Sequence, residues 1–231
     1  MQFPRQKFIA MYCFASIIQN GSSGVGPMLG KLTAGRRVLA KNTLPAPRKS
    51  PLQLMDSQKV TERHIILTSL AETDRLGRML GAHLPPRAVC LLRGDLAAGK
   101  TTLIKSICAA FGIDPKTVIS PTYTLVNWYE GGALPCPPIC HVDFYRLERT
   151  SELRDMDQDD WLNPDGPTFI EWPDVALPLL AEAGAPVLEI ALAQPDDAEE
   201  TVRRVTLSSN DAAFAPLFAA LADAYPAEAP C

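Results

Sequence analysis

Four residues in one short stretch have the types and spacing of a phosphate-binding loop. Gly94, Gly99, Lys100 and Thr101 fit the pattern G-x-x-x-x-G-K-[ST]. In such a loop the glycines let successive backbone N–H groups point at phosphate oxygens, and the positive end of the following helix adds to the attraction. The lysine ammonium contacts the outer phosphates, and the threonine hydroxyl binds Mg²⁺. The stretch therefore predicts a site for a nucleotide and Mg²⁺.

The segments on either side of the loop have the order that this motif requires. Residues 88–92 are an apolar run that predicts a buried strand entering the loop. After the loop, apolar residues recur at helical spacing up to Phe111, and Gly112 is typical of a helix C-terminus. A glycine turn that only caps a helix explains this stretch less well, because it does not require strand, loop and helix in succession.

Phosphoryl chemistry also needs a carboxylate near the metal ion, and two acidic residues are candidates. Asp143 lies near the end of a predicted strand at residues 139–144, and Glu171 near the end of another at residues 168–172. Because the carboxyl ends of parallel strands meet at the ligand crevice, we expect both side chains to face the loop. Taken singly, each would be a solvated acid at a strand end. His141 is either a base or a buried hydrogen-bonding group.

The remaining pattern predicts an α/β fold like that of P-loop NTPases, with a mainly parallel sheet, antiparallel edge strands and flanking helices. Ser69 and Glu72 form a capping box before a helix that stops at Pro85. The spacing of two late strands indicates an antiparallel edge. The further strands are predicted at residues 118–122, 125–129, 187–192 and 202–207, and a last helix at residues 212–222.

Composition divides the 231 residues into three predicted segments. Residues 1–57 form a basic N-terminal extension, in which eight basic residues precede the first acidic one, Asp56. We expect it to be disordered or to reflect a start codon placed too far upstream, and an organellar transit peptide also fits its composition. Residues 58–210 form the nucleotide-binding domain, and residues 211–231 a helix and a proline-rich tail. No apolar run is long enough to cross a bilayer, so we expect no membrane partner.

Charge and cysteine content restrict the partners and the compartment. Residues 56–231 carry 14 basic against 26 acidic residues, which makes this part a poor partner for a phosphate backbone. If RNA is involved, we expect another protein to hold it. The six scattered cysteines indicate a reducing compartment, the cytoplasm, without a disulfide framework. Cys136, Cys140 and His141 lack a second ligand pair, so a zinc site is not expected.

Four short motifs occur in a fixed order along the chain. They are Gly-Asp-Leu-Ala-Ala-Gly-Lys-Thr-Thr at 94–102, Ser-Pro-Thr-Tyr-Thr-Leu-Val at 120–126, His-Val-Asp-Phe-Tyr-Arg at 141–146 and Ile-Glu-Trp-Pro at 170–173. In order and spacing they resemble the bacterial TsaE (YjeE) family, the P-loop ATPases of tRNA threonylcarbamoyladenosine biosynthesis. The resemblance extends from about residue 65 to residue 208.

The resemblance implies roles for individual residues. Thr101 and Glu171 would bind Mg²⁺, and Glu171, Asp143 and Lys100 would be the catalytic residues. Ser120 and Thr122 would belong to a nucleotide-sensing loop. The residues around the ATP phosphates would be Gly94, Ala97, Ala98, Gly99, Lys100, Thr101 and Thr102.

The resemblance also implies partners. Members of the family act with the TsaB and TsaD proteins, which hold the tRNA and transfer the threonylcarbamoyl group. ATP hydrolysis by a protein of this family would reset that assembly. The acidic charge of residues 56–231 agrees with indirect contact to tRNA.

One position departs from the family pattern. The family usually has glycine where Ala97 stands. If this position needs a positive φ, alanine would cost on the order of 1 kcal/mol, and nucleotide affinity would fall.

Two other functions share the loop. A small-molecule kinase has the same phosphate-binding motif. A nucleotide-gated interaction protein would bind ATP and a partner without turnover. Arg146, Arg203 and Arg204 are equivalent candidates for contact with phosphate or with a partner.

Overall fold

The protein is built around a seven-stranded sheet. The computed structural model describes residues 60–131, 137–163, 165–196 and 198–226. The predictions for residues 1–57, Cys136 and the tail at 227–231 lie outside these ranges. The strand order is β1-β7-β6-β2-β5-β4-β3. The strands are β1 Thr61–Leu67, β2 Val89–Arg93, β3 Val126–Tyr129, β4 Ile139–Asp143, β5 Thr168–Glu171, β6 Val187–Ala193 and β7 Arg203–Ser209.

The four central strands run parallel and the outer strands run antiparallel to their neighbours. β2 pairs in parallel with β5 and β6, and β4 pairs in parallel with β5. β1 and β6 are each antiparallel to β7, and β3 is antiparallel to β4. The predicted fold class is therefore confirmed. The antiparallel edge that was predicted from β6 and β7 is completed by β1, which the sequence analysis did not identify as a strand.

Helices cover the sheet, and one apolar cluster joins several of them to it. Leu76 and Leu80 of the first helix, Ile104 and Ile107 of the second, and Leu217 of the last are buried with residues of the sheet in this cluster. Within the described ranges no helix is both long enough and apolar enough to cross a membrane. The helices are α1 Leu70–His83, α2 Lys100–Ala110, α3 Thr150–Arg154, α4 Leu177–Ala183 and α5 Ala215–Ala224.

The start of α1 follows the prediction with one difference. Ser69 is the N-cap residue, and its hydroxyl accepts a hydrogen bond from the Glu72 N–H at 3.3 Å. The Glu72 carboxylate does not return to the Ser69 N–H but accepts from the N–H and hydroxyl of Thr68. The hydrogen bond from the Thr68 backbone is the main reason why the pKa of Glu72 is lowered. The helix ends before Pro85, as predicted.

The helix α2 that carries the loop lysine packs closely on α1. A Cβ atom added at Gly77 of α1 would lie 2.3 Å from the Cβ of Ser106 in α2. This contact leaves no room for a side chain, so Gly77 sets how near α2 lies to α1. Cys90 of β2 and Cys108 of α2 are buried, and burial raises the pKa of both thiols.

The prediction of a strand at residues 118–122 is wrong, because this segment is a loop. Side chains of β3 bind the backbone N–H and carbonyl of Ile119, which lies within this segment, in place of a neighbouring strand. The Tyr129 hydroxyl accepts from the Ile119 N–H at 3.2 Å and lies 3.0 Å from the Ile119 carbonyl oxygen. The Asn127 side chain donates to the same carbonyl at 3.3 Å. These contacts remove the need for a strand partner at this point.

Candidate nucleotide-binding site

Three residues in the loop between β2 and α2 have a positive φ. Gly94, Ala97 and Gly99 have φ values of 137°, 63° and 102°. A Cβ atom added at Gly94 would lie 2.3 Å from the carbonyl oxygen of Leu192, at the end of β6. Gly94 is therefore required by both its φ and its close contact with the neighbouring strand.

Ala97 is the one non-glycine residue among these three positions. Its φ of 63° lies in the left-handed region, where a Cβ atom approaches the following carbonyl oxygen. The condition stated from sequence is thus met, and the expected cost of alanine in place of glycine is about 1 kcal/mol. The surrounding structure has to stabilise this conformation.

Lys100 begins α2 and turns its side chain back over the loop. Its ammonium donates to the carbonyl oxygens of Gly94 and Asp95 at 2.7 and 2.9 Å. It also lies 4.5 Å from the centroid of the Trp172 ring, within range of a cation–π contact. Desolvation lowers the pKa of Lys100, and the negative charges of Glu171, Asp143 and Asp95 oppose that shift.

Glu171 lies at the end of β5, next to the first turn of α2. Its Oε1 accepts from the Thr101 hydroxyl at 2.8 Å and lies 3.0 Å from Nε2 of His141. His141 is fully buried, and its Nδ1 has no hydrogen-bond partner among the residues that the structure describes. The contact with Glu171 therefore assigns the proton to Nε2. Of the two alternatives for His141, the structure places it as a hydrogen-bond partner of Glu171.

Asp143 ends β4 and is opposite Glu171 in the sheet register. One carboxylate oxygen accepts from the hydroxyls of Thr122 and Ser120 at 2.6 and 3.2 Å. The other accepts from the Tyr145 N–H at 2.9 Å. Asp143 thus holds the loop at residues 118–125 beside the phosphate loop.

These groups surround a single cavity of about 420 Å³, a size typical of small-molecule sites. Of the residues predicted to contact the nucleotide, all but Gly94 line it, as do Ser120 and Thr122. Leu96, Tyr145 and Trp172 complete the lining, and no role was assigned to Leu96 or Tyr145 from sequence. The predicted lining residues are Ala97, Ala98, Gly99, Lys100, Thr101, Thr102, Asp143 and Glu171.

Trp172 and Tyr123, aromatic residues of two of the four motifs, lie in different positions relative to the cavity. Trp172 lines the cavity with a left-handed φ of 55°, and its ring centroid lies 5.1 Å from that of Tyr145. Tyr123 is 82% exposed and does not line the cavity. The guanidinium of Arg146 lies 5.7 Å from the Tyr123 ring. Trp172 is therefore the aromatic residue next to the loop lysine.

The oxygen donors of the site suit a Mg²⁺ ion that is bound jointly by the protein and by phosphate groups of a ligand. Thr101 and Glu171 present oxygen atoms, which Mg²⁺ prefers, and Mg²⁺ is usually bound by one or two carboxylates together with substrate phosphates. The described part of the chain has no group of three or more His, Cys, Asp or Glu side chains arranged to hold a metal ion. The site therefore fits a metal ion that binds together with a nucleotide.

A family model and the relatives of similar sequence all carry the same name. The family model described as threonylcarbamoyl adenosine biosynthesis protein TsaE matches residues 67–204. The tRNA threonylcarbamoyladenosine biosynthesis protein TsaE of Rickettsia felis is 30% identical over 164 residues, which are 69% of this chain and 92% of that protein. The protein of the same name from Synechocystis sp. is 37% identical over 111 residues, 47% of this chain and 68% of that protein.

A solved structure is also similar in fold. The crystal structure of Bacillus subtilis YdiB matches with a TM-score of 0.53 and 24% identity. The match covers 73% of this chain and 99% of the YdiB chain.

Proposed function

Because the chain belongs to the TsaE family, we propose that it is an ATP-binding and ATP-hydrolysing subunit required for threonylcarbamoyladenosine modification of tRNA. Its membership confirms the resemblance drawn from the four motifs. The observation that carries the proposal is the contact of 2.8 Å between the Thr101 hydroxyl and the Glu171 carboxylate. It joins the phosphate loop to a strand-end acid in a cavity of about 420 Å³.

In this proposal the loop and Lys100 bind the phosphates of ATP. Phosphate oxygens would replace the carbonyl oxygens of Gly94 and Asp95 as acceptors of the Lys100 ammonium. Thr101 and Glu171 would hold Mg²⁺, which neutralises charge on the phosphates when bound. The hydrogen bond from His141 keeps the Glu171 carboxylate in place.

Glu171, Asp143 and Lys100 are the proposed catalytic residues. Asp143 already accepts hydrogen bonds from Thr122, Ser120 and Tyr145. We therefore assign to Asp143 the coupling of the 118–125 loop to the nucleotide. These hydrogen bonds engage both carboxylate oxygens of Asp143, and we propose that turnover stays slow until a partner completes the site.

The proposed partners are proteins of the TsaB and TsaD type, and tRNA would be contacted through that complex. The relatives are named for tRNA threonylcarbamoyladenosine biosynthesis, and the net acidic charge of residues 56–231 disfavours direct binding of tRNA. We propose that the reaction takes place in the cytoplasm.

Two variants test the chemistry. Lys100→Ala should abolish nucleotide binding, whereas Glu171→Ala should retain binding and stop ATP turnover. Lys105→Ala, on the same helix but outside the cavity lining, is the control for the first. Glu182→Ala, an exposed acid, is the control for the second. Equal ATPase rates for wild type and Glu171→Ala would refute the proposal.

The product and the partners are tested separately. Release of phosphate without a phosphorylated acceptor is expected, and an acceptor that becomes phosphorylated would favour a small-molecule kinase. A pull-down with and without ATP, scored for TsaB, TsaD and tRNA, should recover these components in an ATP-dependent manner. ATP binding and partner binding without any turnover would instead identify a nucleotide-gated interaction protein.

A further inference from the structure

The guanidinium of Arg203, at the start of β7, is bound by backbone carbonyl groups from two segments. Its Nε donates to the Ala98 carbonyl at 3.0 Å, and a terminal nitrogen donates to the Ala97 carbonyl at 3.5 Å. The other terminal nitrogen donates to the carbonyl of Val202 at 2.8 Å and to that of Glu200. In the described ranges no carboxylate forms an ion pair with Arg203. The side chain therefore links the phosphate loop to the entry of β7.

The contact with Ala98 fixes the direction of the next N–H group. The described peptide bonds are all trans, so the carbonyl of Ala98 and the N–H of Gly99 point in opposite directions. Holding the carbonyl towards Arg203 turns the Gly99 N–H away from it. Gly99 lines the cavity, whereas the Ala98 N–H is already bound to the Asp95 carbonyl at 3.2 Å. Among the described residues no acceptor binds the Gly99 N–H, which is therefore a donor that Arg203 orients.

The contact with Ala97 acts on the strained residue of the loop. Ala97 has a φ of 63°, and an alanine released from its contacts would relax to a negative φ. A relaxed Ala97 would rotate the peptide groups on both sides of it. The Nε and one terminal nitrogen of the Arg203 guanidinium form a planar fork that binds the carbonyls of Ala98 and Ala97 together. This fork opposes that rotation.

We propose that Arg203 is a positioning residue that holds the phosphate loop, with Ala97 in its left-handed conformation, in the shape that binds nucleotide. The inference rests on the proposed function, since it concerns the same site. In this role Arg203 stabilises the loop through its carbonyl groups and does not need to contact the phosphates.

Arg204 provides a matched control. It is the same residue type on the same strand and is exposed, and successive strand residues point to opposite faces of the sheet. Arg204→Met removes one positive charge, as Arg203→Met does, without removing a contact to the loop.

The test measures the affinity of purified protein for ADP in the presence of Mg²⁺ by calorimetry. Arg203→Met should weaken binding about tenfold, whereas Arg204→Met should change it less than about twofold. Arg203→Lys keeps the charge but loses the fork, so it should still weaken binding at least about threefold. Equal affinities for Arg203→Met and Arg204→Met, or wild-type affinity for Arg203→Lys, would overturn the proposal.

A second background tests the link to Ala97. In Ala97→Gly the left-handed conformation carries no strain, so Arg203→Met should weaken ADP binding less than about threefold there. An equal loss in both backgrounds would mean that Arg203 acts through its charge and would overturn the proposal. If Arg203→Met does not fold, as judged by circular dichroism, Arg203→Lys in the two backgrounds gives the same comparison.

Wild type and Lys100→Ala are measured in parallel to separate the two proposals. If wild type binds no ADP, or Lys100→Ala binds it equally well, the proposed function fails and the role of Arg203 fails with it. If Lys100→Ala abolishes binding while Arg203→Met behaves like Arg204→Met, only the role of Arg203 is refuted.

Discussion

Replacing Thr122 by valine should reveal how strongly Asp143 holds the loop at residues 118–125. The substitution nearly preserves the shape of the side chain and removes one hydroxyl. That hydroxyl donates to the Asp143 carboxylate at 2.6 Å and lies 2.8 Å from the Ser120 hydroxyl. Valine can make neither contact, so Asp143 keeps only its bonds from Ser120 and the Tyr145 N–H.

The expected magnitude follows from the charge and burial of the partner. Asp143 is 2% exposed, and a hydrogen bond to a charged group contributes about 1.5–3 kcal/mol when it is well shielded. Thr122 is only half-buried, which places the expected loss around the lower limit of that range, at about 1–2 kcal/mol. For a domain of this size such a loss lowers Tm by roughly 2–8 °C.

Thr124→Val is the matched control in the same loop. The Thr124 hydroxyl donates to the neutral side chain of Asn127 at 3.0 Å in an exposed position, so its loss should cost less than about 0.5 kcal/mol. Urea denaturation followed by fluorescence measures both variants, and the m value should not change. If the two variants differ by less than about 0.3 kcal/mol, Asp143 does not anchor the loop through Thr122.

Three further predictions concern the loop, its lysine and the tyrosine that holds residue 119. Gly94→Ala should abolish nucleotide binding in a calorimetric titration, because a Cβ there would lie 2.3 Å from the Leu192 carbonyl oxygen. Desolvation lowers the pKa of Lys100 below its usual 10.5, so the unfolded state binds more protons between the two pKa values. The free energy of unfolding of wild type, relative to Lys100→Met, should therefore rise as the pH approaches 10.5, and a flat difference in pH-dependent denaturation would contradict this. Tyr129→Phe should lower the free energy of unfolding by about 1–2 kcal/mol and speed amide exchange at Ile119, whose N–H and carbonyl contact the tyrosine hydroxyl.

The parts of the site that sequence could predict are those set by local chemistry. The G-x-x-x-x-G-K-[ST] pattern needs a strand before it and a helix after it, and β2 and α2 occupy those places. The acids Asp143 and Glu171 could be placed at strand ends because buried apolar runs precede them. Parallel pairing then brought them together, as expected for the carboxyl ends of neighbouring strands.

The parts that sequence could not predict depend on contacts between distant residues. Residues 118–122 have a strand-like composition, and the folded positions of Tyr129 and Asn127 are needed to show that side chains bind the backbone groups of Ile119. Strand periodicity indicates that Arg203 and Arg204 face opposite ways, but it does not say which one meets the loop more than 100 residues earlier in the chain. The helix α4 Leu177–Ala183 was also missed, since it has only seven residues and a proline in its first turn.

The strand register has a consequence for changes in chain length. Glu171 is aligned with Leu92 of β2 on one side and with Asp143 of β4 on the other. Because side chains alternate between the two faces of a sheet, one residue inserted within β5 would turn Glu171 away from Thr101. An insertion in a surface connection would leave that alignment unchanged. We therefore expect surface connections outside the phosphate loop and the 118–125 loop to accept insertions and deletions, whereas the lengths of β4 and β5 are fixed by the positions of their final acids.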